Sequence, residues 1–183
     1  MIGDELHKKL GGLDKYVILA TVEAKKYYKT NLDIVSYFVK KRKTPGVYVT
    51  LNKPYAVILE DLKKRGIESK MILFIDAVTR TTMQKPQKTG GCLFIGNPEN
   101  LSDLSLATDQ AVRALPFKEK FILFDSLNTL LVYNNINMVI RFIHFLISKM
   151  RIWKVVGIII SLEKSDKELI DKLSQFCDVT IKM

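Results

Sequence analysis

The chain has 183 residues, of which 48% are hydrophobic and 26% are charged, with only 9 glycines and 5 prolines. This composition is typical of one compact globular domain and excludes a disordered or low-complexity chain. The formal net charge is +10, and residues 1–70 hold 15 of the 29 basic residues against 8 of the 19 acidic ones. A basic N-terminal part indicates either an anionic partner (a nucleotide, a nucleic acid or an acidic protein) or a solvated lysine-rich surface.

The sequence contains no segment suited to crossing a membrane or directing secretion. Charged residues interrupt the longest apolar run, residues 136–150, whereas a spanning helix needs about 20 nearly unbroken apolar residues. Residues 1–15 lack the apolar core of a signal peptide, so we expect a cytoplasmic protein. The two cysteines, Cys92 and Cys177, lie in apolar contexts and are expected to be inert thiols.

Strand and helix patterns alternate along the chain without a Pro-, Gly- or Ser-rich linker. Continuous apolar runs predict strands at residues 16–21, 47–51, 71–78, 121–125 and 155–162. A short strand at residues 92–95 need not join the main sheet, and residues 178–182 are predicted to be an edge strand. Residues 79–91 are polar and predict a loop, and residues 1–15 predict an N-terminal helical extension.

Helical spacing of apolar residues fills the intervals between these strands. One helix is predicted to carry Leu32, Val35 and Phe38 on one face and to stop at residues 44–46, and the next to span residues 55–65. The predicted capping residues are Gly66 at the end of the second helix, Asn100 or Ser102, Asn137, and a capping box of Ser165 with Glu168.

Strands that are apolar on both faces are typical of a parallel sheet with helices on either side. The alternating pattern therefore predicts an α/β fold, a three-layer αβα sandwich on a mainly parallel sheet, formed by residues 1–183 as a single domain. In such folds, ligands bind at the edge where strands end and helices begin.

The turn after the first strand ends in Lys29 and Thr30, where a helix is predicted to begin. The phosphate-binding pattern GxxxxGK[ST] has a lysine and a hydroxyl there, because the lysine contacts phosphate oxygens and the hydroxyl binds Mg²⁺. The pattern also needs glycines where this chain has Glu23 and Tyr28, so that backbone amides can turn toward the phosphate.

The lysines of this turn allow three interpretations. Lys25, Lys26 and Lys29, together with a helix N-terminus, can hold an anion electrostatically. Alternatively, all three are solvated loop residues. Tyr27 and Tyr28, next to these lysines, can also stack on the bases of a nucleic acid.

Asp125 ends the predicted buried strand FILFD. A carboxylate at the C-terminal end of a buried strand is where nucleotide-binding α/β folds hold Mg²⁺ or its water, although it can equally cap the next segment. The two histidines, His7 and His144, are far apart in the sequence and are expected to be structural.

In their order, these segments resemble the RecA superfamily, specifically the archaeal KaiC-like ATPases. The succession is a strand, a degenerate phosphate loop and a helix, followed by VYVTLNKP, ILFIDAV, FILFDSLNTLL and VVGIIISLEKSDKELIDKLSQFCDVTIKM. The resemblance extends from about Tyr16 to Met183, and ILFDSLNTLL, which resembles the family's metal-binding strand, is its most specific piece. It implies a RecA-like sheet, ATP or ADP with Mg²⁺ as the ligand, and domains that pack side by side.

Only matching residues inherit the family's roles. Lys29 and Thr30 match its phosphate- and metal-binding pair, and Asp125 matches its metal-binding carboxylate, which would act with Thr30 if a nucleotide binds. The family's catalytic glutamates follow the second strand, where this chain reads Thr50-Leu51-Asn52-Lys53. Because an amide cannot take a proton from the attacking water, the comparison predicts no catalytic residue and a pseudo-ATPase.

We therefore expect a catalytically degenerate KaiC/RecA-like domain that serves as a regulatory or protein-interaction module in signal transduction, with weak or no nucleotide binding. Its expected partner is another protein or a second copy of the chain. One alternative is a divergent ATPase in which Lys29 and Thr30 suffice and another carboxylate is the base. A further alternative is a single-stranded nucleic-acid binder that uses the basic N-terminal part.

Overall fold

The computed structural model describes Asp4, His7, Lys8 and residues 16–82 and 86–183. These residues form a seven-stranded sheet in the order β4-β3-β2-β5-β6-β1-β7, and every pair of neighbouring strands is parallel. The strands are β1 (Val17–Val22), β2 (Gly46–Thr50), β3 (Ile72–Asp76), β4 (Cys92–Phe94), β5 (Phe121–Asp125), β6 (Val156–Leu162) and β7 (Val179–Lys182).

Residues 16–82 and 86–183 contain seven α-helices. They are α1 (Tyr27–Ser36), α2 (Tyr55–Lys64), α3 (Thr79–Thr82), α4 (Leu101–Ala114), α5 (Leu127–Tyr133), α6 (Ile136–Trp153) and α7 (Lys167–Phe176). Among these residues, none of the helices combines the length and the apolar character that a membrane span requires.

Helices cover both faces of the sheet. On one face, α1 and α2 bury Leu32, Ile34 and Leu62 against the strands. On the other face, α4, α5, α6 and α7 pack on the alternate strand residues, such as Phe124. The central strands are therefore buried on both sides, which is why they are apolar without alternation. The predicted three-layer αβα sandwich is confirmed.

The first helix does not run uniformly. After Ser36 the backbone continues as a π-helical turn over Tyr37–Lys41, before the chain enters β2. At Gly46, the first residue of β2, a Cβ atom would lie 2.4 Å from the Phe121 ring, so only glycine fits there. The ring instead stacks on Phe38 with 4.7 Å between centroids, which fastens this turn to β5.

Two predicted helix ends are confirmed. Gly66 has φ +60°, and the Ile67 amide donates to Leu62 O at 2.9 Å, which is the hydrogen bond of a glycine-terminated helix. At the start of α4, Asn100 rather than Ser102 is the cap, because its side chain accepts from the Asp103 amide at 3.2 Å.

The other two predicted caps are wrong. Asn135, not Asn137, caps α6 by accepting from the Met138 amide at 2.9 Å, so the helix begins earlier than predicted. Asp166, not Ser165, caps α7 by accepting from the Leu169 amide at 3.1 Å. The Ser165 hydroxyl is instead engaged in the turn, where it donates to Leu162 O at 2.5 Å.

Three other differences between prediction and structure concern which strands and helices are present. Strand β4 belongs to the main sheet, because it pairs with β3. Helix α5 follows β5 directly and was not predicted. The predicted loop over residues 79–91 opens with α3, and residues 83–85 lie outside the described residues. Most of the predicted N-terminal extension, residues 1–15, also lies outside them, although Asp4, His7 and Lys8 are helical.

Candidate functional site

Two buried carboxylates lie at the edge where the parallel strands end. Thr50, at the end of β2, is in register with Asp76 on β3 and with Asp125 on β5. Asp76 and Asp125 are 0% and 1% exposed, respectively. The strand-end edge of the sheet therefore presents one acid on either side of Thr50, and the two acids have different surroundings.

The Asp76 carboxylate is surrounded by hydrogen-bond donors from two helix starts. It accepts hydrogen bonds from the amides of Tyr55, Val78 and Thr79 at 2.7–2.8 Å and from the Thr79 hydroxyl at 2.5 Å. These donors belong to the first residue of α2 and to the segment that starts α3. The Asp76 carboxylate therefore anchors two helix starts, and both of its oxygens are engaged.

Asp125 is held by neutral donors. The Tyr48 hydroxyl donates to Oδ2 at 2.8 Å, and Asn52 Nδ2 donates to Oδ1 at 3.3 Å. Burial raises the pKa of Asp125 well above its usual range, because the charged form loses its hydration. The peptide bond from Asp125 to Ser126 is cis.

Asn52 is the centre of a hydrogen-bond network, called here the Asn52 network. Its Nδ2 lies 2.6 Å from the Tyr27 hydroxyl and 3.3 Å from both Asp125 Oδ1 and Ser126 Oγ. Its Oδ1 accepts from the Thr129 hydroxyl at 2.5 Å. The Asn52 side chain thus joins the segment after β2 to the start of α1, to the end of β5 and to α5.

The turn after β1 is short and closed on itself. Its four residues, 23–26, separate β1 from α1, and the Lys26 amide donates to Glu23 O at 2.9 Å. The Lys26 ammonium also pairs with the Glu23 carboxylate at 3.0 Å. An amide that is hydrogen-bonded within the turn cannot also be directed at a ligand.

The structure places Lys29 and Thr30 on α1 and Asp125 at the end of β5. Lys25 is exposed, and the 72%-exposed Lys29 pairs with Asp33 of its own helix at 3.1 Å. Thr30 is only 1% exposed. Among the described residues, no hydrogen bond or salt bridge joins Lys29 or Thr30 to Asp125. Strand β6 lies between β1 and β5, which separates these two strands by about 10 Å.

Tyr28 fastens the first turn of α1 to neighbouring segments. Its hydroxyl donates to Asp61 on α2 at 2.8 Å, and Lys53 Nζ lies 3.9 Å from the centre of its ring. Burial, with a contribution from Asp61, raises the pKa of Tyr28 above its usual range. The residue that occupies a glycine position of the phosphate-binding pattern therefore has a packing role.

The sequence did not indicate several polar members of this edge. Asn31 is fully buried on α1, and neither atom of its amide has a hydrogen-bond partner among the described residues. Tyr48 lies within a strand pattern that indicates only packing, and Thr129 lies in α5, which was not predicted. The one available signal for Asn31 was a polar residue next to Leu32 on an apolar helix face.

Metal ligands and histidines add nothing to this site. Within residues 16–82 and 86–183, with Asp4, His7 and Lys8, no group of three or more His, Cys, Asp or Glu residues is arranged to hold a metal ion. His7 Nδ1 lies 3.4 Å from the Tyr37 hydroxyl, and the His144 ring lies 4.3 Å from that of Phe176. Burial raises the pKa of Cys92 to about 12, so its thiol is not activated.

Two solved structures with a similar fold come from Pyrococcus horikoshii, a hyperthermophilic archaeon. The KaiC-like protein PH0186 from Pyrococcus horikoshii OT3 superposes with a TM-score of 0.63 at 13% identity, over 91% of this chain and 71% of that one. The uncharacterized protein PH0321 from Pyrococcus horikoshii, solved in complex with an unknown peptide, superposes with a TM-score of 0.73 at 12% identity, over 98% and 82% of the two chains. The chain therefore has a KaiC/RecA-like fold.

Sequence comparison places the chain among proteins whose activity is not known. No curated protein matches it. A model of a family of unknown function, DUF7504, matches residues 45–183, a range that includes the Asn52 network except Tyr27 and extends to the end of the chain. The chain belongs to this family of unknown function, DUF7504.

Proposed function

We propose that the chain is a KaiC/RecA-like domain that does not turn over ATP and that works as a regulatory or protein-interaction module in signal transduction. One observation carries the proposal. Asn52, which follows the second strand where the resembling ATPases have catalytic glutamates, is engaged with Tyr27, Ser126, Asp125 and Thr129. An amide in this place links elements and has no basic oxygen to accept a proton from water.

The turn after β1 also supports the proposal. A triphosphate cradle requires backbone amides directed at the ligand and a lysine that reaches the phosphate oxygens. Here the Lys26 amide is bonded to Glu23 O, and Lys29 pairs with Asp33. The Glu23 carboxylate pairs with Lys26 at 3.0 Å, so it competes with an anion for that ammonium group. The present residues therefore do not fit Mg²⁺ with a triphosphate.

An interaction role agrees with the net charge and with one relative. PH0321 is described as being in complex with an unknown peptide, so a protein of this fold takes a peptide partner. The formal charge of +10 favours acidic partners over copies of the chain itself, because like charges repel at long range. We accordingly propose a protein partner rather than a nucleotide as the ligand.

The proposal is tested by titrating ATP into the protein in a calorimeter, with and without Mg²⁺, and by measuring phosphate release. We expect no saturable heat and no turnover. Lys29→Ala should leave both measurements unchanged. Lys172→Ala is the matched control, because Lys172 also pairs with a carboxylate four residues away on an exposed helix. Micromolar binding of Mg-ATP that is lost in Lys29→Ala, but not in Lys172→Ala, would establish the divergent ATPase instead.

A further inference from the structure

A groove of about 700 Å³ runs between α4 and α6, on the outer surface of the helical layer opposite α1 and α2. Its lining consists of residues from these two long helices. The groove is larger than two other depressions in the described residues, which measure about 170 and 230 Å³, and its lining includes no residue of the Asn52 network.

The floor of the groove is apolar and open to solvent. Leu106 on α4 is 58% exposed, while Phe145 and Met138 on α6 are 45% and 40% exposed. Single exposed apolar residues are ordinary on a protein surface, but a depression that gathers several of them from two helices is typical of an interaction site. Covering these side chains would remove their apolar surface from water, which favours association.

The rim of the groove is cationic. Arg113, Arg141 and Lys149 line it, and the one acidic residue of the lining, Asp109, is bonded to Arg113 at 2.6 Å. Arg141 Nε donates only to the carbonyl of Asn137 in its own helix, at 3.3 Å. Neither Arg141 nor Lys149 forms a salt bridge with a carboxylate in the described part of the chain. The rim therefore offers Arg141 without a carboxylate partner, and Lys149, which interacts with Asp109 only at longer range.

The dimensions of the groove match a helix. Its lining extends from Leu101 to Arg113 on α4 and from Met138 to Trp153 on α6, which corresponds to about 18–22 Å at the rise of an α-helix. A partner helix of about 12–15 residues has that length. The depression between two helices is concave, so it receives a helix better than it rests on a flat membrane surface.

We propose that this groove binds an amphipathic α-helix of a partner protein, with apolar residues at i, i+3, i+4 and i+7 seated on Leu106 and Phe145 and with acidic residues flanking that stripe opposite Arg141 and Lys149. Apolar anchors at this spacing are how helices bind in grooves. Opposite charges at the rim set the orientation and speed the encounter. A second copy of this chain is disfavoured as the occupant, because each copy carries a formal charge of +10.

Trp153 allows a direct test, because it lines the groove and is the chain's single tryptophan. The probe is a synthetic helical peptide of about 15 residues, with leucines at the anchor positions and glutamates elsewhere, and its counterpart has lysines for glutamates. We expect a saturable shift of Trp153 emission with the acidic peptide only. In the charge-reversed variant R141E/K149E its affinity should fall roughly tenfold or more.

The control variant K164E/K167E makes the same change of charge at exposed lysines outside the groove. It should bind the acidic peptide within about twofold of the unaltered protein, because contacts at the rim, and not net charge, set the affinity. Circular dichroism and thermal unfolding of both variants establish that they are folded. A reversed preference of R141E/K149E for the lysine peptide would confirm the charge pairing.

Several results would overturn the proposal. One is the absence of any Trp153 response to the acidic peptide, and another is an equal loss of affinity in K164E/K167E. A stronger Trp153 response to anionic lipid vesicles than to the peptide would assign the groove to a membrane surface. Concentration-dependent dimers in light scattering that Leu106→Glu abolishes would assign it to a second copy. None of these outcomes depends on whether ATP binds, so this inference and the proposed function fail separately.

Discussion

At the scale of single residues, Asp125 is a buried carboxyl group whose ionised form is disfavoured. It is 1% exposed, and its hydrogen-bond donors, Tyr48 and Asn52, are neutral. An ionised carboxylate in such a place lacks the positive charge that would replace its hydration. Burial among neutral donors therefore favours the protonated form of Asp125.

Asp125→Asn tests this protonation state. Because burial raises the pKa of Asp125, the folded protein keeps a proton that the unfolded chain releases above about pH 4. The free energy of unfolding of the native protein therefore falls as the pH rises through this window. We expect the stability of Asp125→Asn relative to the native protein to increase from pH 4 to pH 8, as measured by urea unfolding at several pH values. A difference that is constant over this range would contradict the prediction.

At the scale of elements, the polar residues at helix starts determine where the helices begin. Asn135 caps α6, Asn100 caps α4 and Asp166 caps α7, each by accepting a hydrogen bond from the amide three residues later. Helix α6 is the longest described helix and buries Phe142, Leu146 and other apolar residues against the sheet. The cap of α6 therefore contributes to the stability of a helix that packs on the sheet and also lines the groove.

Asn135→Ala removes the cap of α6. We expect it to lower the free energy of unfolding by about 1 kcal/mol, because an amide of the first turn loses its acceptor. Asn137→Ala is the matched control, since Asn137 is exposed inside the first turn and is not the cap. Alanine has a higher helix propensity than asparagine, so this control should be neutral or slightly stabilising. Equal losses in the two variants, measured by thermal unfolding, would contradict the assignment of the cap.

At the scale of the whole molecule, the two ends of the described fold are joined. Strand β7 pairs with β1, and Asp178, just before β7, accepts from the Val17 amide at 2.7 Å and from Arg151 at 2.9 Å. Partial burial by itself would raise the pKa of Asp178, but these two donors hold it below its usual range. The carboxylate thus links the start of β1 and the residue before β7 to the end of α6.

Asp178→Asn should weaken these contacts and lower the free energy of unfolding. We expect a loss on the order of 1 kcal/mol at pH 7, because the side chain is partly exposed and its ion pair is screened. The contribution of a depressed carboxyl pKa is present above about pH 4 and disappears as the pH falls through the folded value, so the difference should shrink in acid. Asp171→Asn, on the exposed face of α7, is the control and should be neutral. A loss that persists unchanged at low pH would show that the carboxylate charge is not responsible.

The sequence by itself determined the layers of this protein. Runs such as residues 121–125 predict buried strands because burial on both faces requires an unbroken apolar stretch. Gly66 indicated a helix end because glycine adopts positive φ without steric cost. These signals are local, since each depends on residues within one or two turns. For the same reason the predicted start of α6 is wrong. Asn135 and Asn137 are both suitable caps by residue type, and the folded backbone decides that Asn135 is the cap.

The tertiary structure alone decided what the polar residues do. Asn52 and Asp125 are 73 positions apart in the chain, and they meet because β2 and β5 are neighbours in the sheet. The sequence indicated that both lie at the strand-end edge, but not that Asn52 would bind Tyr27 and Thr129 as well. The groove likewise depends on α4 and α6 lying side by side, which no local pattern encodes. Hydrogen bonds and grooves between distant segments depend on the register and packing of the whole sheet, and that is settled only when the chain folds.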